Sequence, residues 1–136
     1  IMANIGQLSR IVPEGGIRAG YNNTGNAIEG GLLVKRTAAA DNAIALAAAV
    51  DDAIAGVTMS AIAAGAHGDV QRKGKAICVA GGSITRGARL MWATGGKVVT
   101  WSQSAGVNAV EVGVAETDAG NNDEVEVELT LASRQG

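Results

Sequence analysis

The chain has 136 residues, enough for one domain that buries roughly two-thirds of the surface its unfolded form exposes. Its formal charge of −2 argues against direct nucleic-acid binding, for which a basic face is the usual footprint. Apolar residues make up 47% but aromatics only 2%, with no Phe and 20 Gly. The core is therefore expected to be aliphatic and modest, at about 25 cal/mol per Å² buried, and supplemented by burial between subunits.

The longest wholly apolar run, Ala43 to Val50, is far short of the roughly 20 residues a membrane span needs. The first residues carry one Arg and no apolar stretch of the kind a secretory signal contains. The single Cys78 allows no intrachain disulfide, so the expectation is a chain made and folded in a reducing cytoplasm. Ile1 precedes Met2-Ala3, which reads as a translation start, and nothing is built on Ile1.

Residues 1–16 read as an N-terminal arm, and 17–136 as a single β-domain. In the arm Ile5, Leu8, Ile11 and Val12 are apolar, and Pro13-Glu14-Gly15-Gly16 ends the segment with breakers. Their spacing suits a short helix or an extended peptide lying on a neighbouring surface. Two destinations are open for them: the end of the domain core, or a partner or adjacent subunit.

Gly16 to Ala19 predicts a short strand and Tyr21 to Asn26 a turn. Gly31 to Arg36 is a strand. Asp41 to Val50 fits either a helix capped by Asp41 or a strand alternating small and large residues, and the strand is favoured by the repeat described next. Ile54 to Met59 and Asp69 to Val79 are further strands, the latter broken at Gly74. Leu90 to Trp101 reads as a hairpin with Gly95-Gly96 at its tip, and Val110 to Leu131 as strand, polar turn, strand. Short strands at this spacing predict an all-β barrel or sandwich.

Four pieces recur in order about 56 residues apart, dividing the domain into halves of about 17–73 and 74–131. Gly31 to Val34 matches Gly87 to Met91, Ala43 to Leu46 matches Lys97 to Thr100, Gly56-Val57 matches Gly113-Val114, and Gly65 to Val70 matches Gly120 to Val125. A duplicated β-unit accounts for the common order.

No stretch spells out a reaction. His67 is the only His and Cys78 sits in an apolar strand, so neither a metal site nor a Cys/His nucleophile pair can be assembled. Glu116-Thr117-Asp118 is similar to the lipoyl-domain motif, but Ala119 stands where the cofactor-bearing Lys is required. Glu124, Glu126 and Glu128 alternate with Val125, Val127 and Leu129, which predicts one acidic strand face turned to solvent or a neighbour, or guarding against edge pairing. No catalytic residue, cofactor or metal is expected. Trp92 and Trp101, on the two strands of one hairpin, are candidates for a core or subunit-interface anchor.

The order of Gly31 to Val34, Ile54 to Val57, Gly65 to Val70 with Gly74, Gly87 to Trp92, Lys97 to Val99, and Val112 to Ala115 followed by Glu124 to Val127 resembles the small cement, or head-decoration, proteins of tailed bacteriophages. The resemblance implies an all-β, tulip-like fold forming homotrimers on the exterior of the virion capsid. It implies the major capsid protein as partner, clamped against internal DNA pressure, with an arm adding a strand to the coat; here Ile5, Leu8, Ile11, Val12 and Pro13 would make that contact. This chain departs from the family in its scarcity of aromatics and its Ala-rich stretch 37–50. The competing expectation is a glycan- or ligand-binding β-module of a phage surface or fibre base, presenting Trp92, Trp101 and Tyr21.

Overall fold

The computed structural model describes residues 10–38, 40–47, 54–93, 95–102 and 108–135, with 108–110 and 132–135 described by backbone alone. Every regular element among them is a strand: β1 (Ile17–Asn22), β2 (Leu33–Arg36), β3 (Ala43–Leu46), β4 (Ile54–Thr58), β5 (His67–Gln71), β6 (Lys75–Val79), β7 (Arg89–Trp92), β8 (Val98–Thr100), β9 (Asn108–Ala115) and β10 (Glu124–Gln135). The all-β expectation holds. The Ala-rich stretch does form a strand over Ala43–Leu46, where alternation on a packed sheet overrides the helix preference of Ala. The first strand runs further than expected, through Tyr21 and Asn22, and His67 opens β5.

The first five strands form a closed barrel in the order β1-β3-β2-β4-β5, with β5 returning to β1. A parallel pair, Tyr21 with Ala43 and Asn22 with Ile44, joins β1 to β3. The last five form a sheet in the order β6-β10-β9-β7-β8. Its two edges meet where Ala80, just after β6, makes a parallel bridge to Val98 of β8.

The same hydrogen bonds recur about 57 residues further on. Asn22 N donates to Ala66 O, and Ala80 N to Asp123 O; Gly65 N donates to Asn22 O, and Asn122 N to Ala80 O. The reciprocal pair between Ile28 and Ile62 returns between Ile84 and Ala119. Gly31 N donates to Thr58 O and Gly87 N to Ala115 O, while Met59 N donates to Asp69 O and Glu116 N to Glu126 O.

The matched glycines have a common cause. A Cβ on Gly56 would overlap the carbonyl oxygen of Gln71, and one on Gly113 would overlap that of Glu128. Gly56, at φ +148°, also breaks the alternation of β4 opposite a register shift in β2. Ala55 consequently faces the interior of the first barrel with Ile28, Val34, Ile44, Ile62 and Val70. Val57, two residues on, instead joins Leu33 and Ala47 in packing against the second unit's core of Cys78, Leu90, Trp92, Val112, Val125 and Val127. Backbone bonds fasten the two units together, from Leu33 N to Gly96 O, Gly95 N to Ala47 O and Val79 N to Gly31 O.

Cys78 is wholly buried among these aliphatics, and burial pushes its thiol up to about 12. A thiol whose folded pKa exceeds its unfolded one favours folding fully below about pH 8.5, and that contribution is lost as pH rises toward the folded value. Two outcomes are expected. Gly56→Ala and Gly113→Ala will each destabilise the fold by at least about 2 kcal/mol in urea unfolding, well above the cost of alanine at an unconstrained strand glycine. The wild type will lose stability between about pH 9 and 12 relative to Cys78→Ala, measured as the pH dependence of the difference in urea midpoint between them.

Candidate functional site

The chain passes from one unit to the other through Arg72 to Gly74, and there the segment from Arg10 to Gly16 is attached. Ile11 makes a reciprocal antiparallel bridge with Lys75, both bonds 2.9 Å long. The buried Gln71 amide reaches Ile11 O at 3.1 Å, Lys73 O at 2.8 Å and Lys75 O at 3.1 Å, gathering the segment before β1 and the start of β6 around one side chain. Its Oε1 is buried with no hydrogen-bond partner among the described residues, a state that costs about 1–3 kcal/mol. Arg72 N donates to Gly16 O, and the Arg10 guanidinium donates to Met59 O. Gly74, at φ +89°, lies close enough beneath the segment that a Cβ would overlap Ile11 O and Pro13 Cδ.

The fastening is therefore made by main chain, while the side chains face outward. Ile11 is 56% exposed, Pro13 is exposed and Val12 is half-buried. None of the three belongs to either core. Ile5 and Leu8 lie outside the described residues.

The tryptophans part company. Trp92 pairs with Val98 beside the hairpin turn and is buried in the second core at 3% exposure. Trp101, just past β8, bonds through its backbone N to Arg89 O and remains half-exposed. The Arg89 guanidinium stacks 4.9 Å from the Trp101 ring centroid and also bonds the buried Glu111 carboxylate at 3.3 Å. Tyr21 is half-buried, its ring 4.9 Å from that of His67. The three rings thus form no shared platform.

The acidic row is not uniform. Glu124 and Glu128 are exposed as expected, but Glu126 is 5% exposed and paired with Lys75 Nζ at 3.2 Å. The reason is Lys75 on β6, whose side chain reaches across to the middle of the row. Asp118 instead caps a turn, accepting from Arg86 N at 2.7 Å. No group of three His, Cys, Asp or Glu able to hold a metal is found among the described residues.

One feature escaped the sequence reading. Arg18, Arg36, Thr37, Asn42, Ala43, Ile44 and Ala55 line a cavity of about 170 Å³ at one end of the first barrel. The signal was there in the period-two pattern. Arg18, Arg36 and Arg72 each stand two residues from an inward position, at Gly20, Val34 and Val70.

The fold is similar to that of the head fiber gp8.5 N base in bacteriophage phi29, with a TM-score of 0.65 over 88% of this chain and 99% of that one. At 15% identity the likeness concerns the fold alone. No curated protein matches the sequence. The model of the phage cement protein family matches residues 22–131, from the end of β1 into β10, and so spans both units and the seam between them. The chain belongs to the phage cement protein family.

Proposed function

We propose that this protein binds the outer surface of a phage capsid as a homotrimer and cements neighbouring major-capsid-protein capsomers against internal DNA pressure. Family membership makes it a capsid-associated structural protein of a phage virion. The finer reading rests on one observation: residues 11–16 are held to the seam by backbone bonds while the Ile11 side chain stays exposed. A domain closing its own core would turn that side chain inward. An arm docking elsewhere keeps it available, and anchoring its base limits the entropy that docking must overcome.

In this reading residues 1–16 are the docking arm, with Ile5, Leu8, Ile11, Val12 and Pro13 as its contact residues, and 17–136 form the rigid body. Strand addition by the arm supplies main-chain hydrogen bonds, with alternate side chains giving specificity. Trp101, half-exposed against Arg89, is the candidate subunit contact, while Trp92 serves its own core. The role is structural and needs no catalytic group. The glycan-binding alternative has less support, because Trp92 is buried and the other two rings are engaged by Arg89 and His67.

Replacing Ile5, Leu8 and Ile11 together by Ser keeps the backbone donors and acceptors of the seam intact. Co-sedimentation with undecorated capsids should show affinity reduced by at least about tenfold, with an unchanged unfolding curve. Capsids decorated by wild type should withstand heating that bursts those given the variant. Full-affinity decoration by the variant would refute the arm contact. In solution, light scattering should give about three times the 13.5 kDa protomer mass.

A further inference from the structure

The repeated hydrogen bonds allow the two units to be aligned residue by residue, and the alignment isolates a feature that the fold does not require. Asn22 corresponds to Ala80 through their matching backbone bonds, so four residues earlier Arg18 corresponds to Ala76. Gly31 corresponds to Gly87, which sets Arg36 against Trp92. Asp69 corresponds to Glu126, which sets Arg72 against Leu129. Ala76, Trp92 and Leu129 are all buried in the second core. One unit thus seals this end with apolar side chains, whereas its twin lines the same end with Arg18 and Arg36 and places Arg72 near enough for its charge to act on Arg18.

The arginine-lined end is a concavity. Ala43, Ile44 and Ala55 form its apolar floor, while Arg18, Arg36, Thr37 and Asn42 supply its polar wall. Asn42 is held at φ +58° on the rim. Arg18 is half-buried, and its guanidinium is held below its ordinary pKa, first by burial and then by the charges of Arg36 and Arg72. Among the described residues no carboxylate pairs with Arg18, Arg36 or Arg72. Gathering like charges over an aliphatic floor is unfavourable for the isolated barrel, and the second unit shows that the same backbone bonds form with apolar residues at these positions.

We propose that this mouth is an oxyanion site that takes the carboxylate of an acidic side chain presented by a partner protein chain. Guanidinium forks match a carboxylate in geometry as well as charge. The floor of Ala43, Ile44 and Ala55 gives the methylenes of such a side chain a surface to cover, which a fully hydrated inorganic anion does not use. The assignment stands on the first barrel alone and does not depend on the capsid role.

The test uses glutarate as the carboxylate probe and inorganic phosphate as the comparison, with amide NMR shifts read at Thr37 and Asn42. Glutarate should give saturable shifts at millimolar concentration, and phosphate should bind at least about tenfold more weakly. The double variant Arg36→Gln/Arg72→Gln should weaken glutarate by at least about tenfold while its unfolding curve stays that of wild type. Absence of shifts, equal affinity for phosphate, or shifts that survive in the double variant would each overturn the proposal. Asp51 and Asp52 of the same chain are tested as a competing occupant. Binding seen only in Asp51→Asn/Asp52→Asn would assign the mouth to them and overturn it likewise.

Discussion

The fold depends on two places where strands cross closer than any side chain permits, Gly56 against the Gln71 carbonyl and Gly113 against that of Glu128. The first barrel is filled by Ala55, Val34, Val70, Ile28, Ile44 and Ile62 and so has a small cross-section, with no aromatic side chain among these core residues to prop it wider. Closing the strands that tightly brings backbone onto backbone, and glycine is the residue that lets it happen. At Gly56 the same residue turns β4 between cores, so that Ala55 and Val57 serve different interiors although strict alternation would put them on one face. The tight closure and the shared core thus have a single origin.

The backbone frame is repeated, but its filling is not. Asn22, Thr58 and Gln71 are buried polar residues in the first unit, and the corresponding positions in the second are Ala80, Ala115 and Glu128. Asn22 bonds to Asn26 O and Ile62 O through Nδ2, and accepts from Thr24 through Oδ1, replacing backbone partners that a turn would otherwise supply. Thr58 does similar work, donating to Glu29 O and accepting from Leu32 N. The first unit is therefore held by specific polar bonds and the second mainly by aliphatic packing around Trp92. The arginines stand at one open end of the first unit, whereas Trp92 and Leu129 fill the corresponding end of the second.

Much of this was legible in the chain itself, for reasons tied to particular residues. The repeat showed through Gly31 and Gly87, Gly56 and Gly113, because glycines required by backbone geometry survive when the side chains around them change. Ala43 to Leu46 was readable as a strand only through its counterpart at Val98 to Thr100, since alanine by itself favours a helix. The extension of β1 through Tyr21 and Asn22 was hidden. Asn-rich sequence signals a turn, and here the Asn22 side chain is instead a buried bracket for the turn that follows it. Burial of Glu126 was equally hidden, because alternation fixes which face a residue takes but not whether a lysine from the neighbouring strand covers it. The arginines were spread over β1, β2 and the residue after β5, and only the strand order of the barrel brings those positions together.

The seam ties the segment before β1 to both units through one side chain. Gln71 sits at the end of β5, and through one amide it holds the linker carbonyls of Lys73 and Lys75 together with Ile11 of the arm. Displacing residues 10–16 would break the Ile11–Lys75 bridge and uncover the Gln71 amide that donates to Ile11 O, in a side chain whose Oε1 has no partner among the described residues. Each loss of that kind costs on the order of 1 kcal/mol or more, so the base resists detachment although its side chains contribute little burial of their own. The Ile11–Lys75 bridge thus joins residues 10–16 to the junction between the two units. The junction is also where Lys75 pairs with Glu126 and where β6 joins β10, so the attached segment is continuous through main-chain bonds with the β9–β10 pair, whose strands are the longest among the described residues.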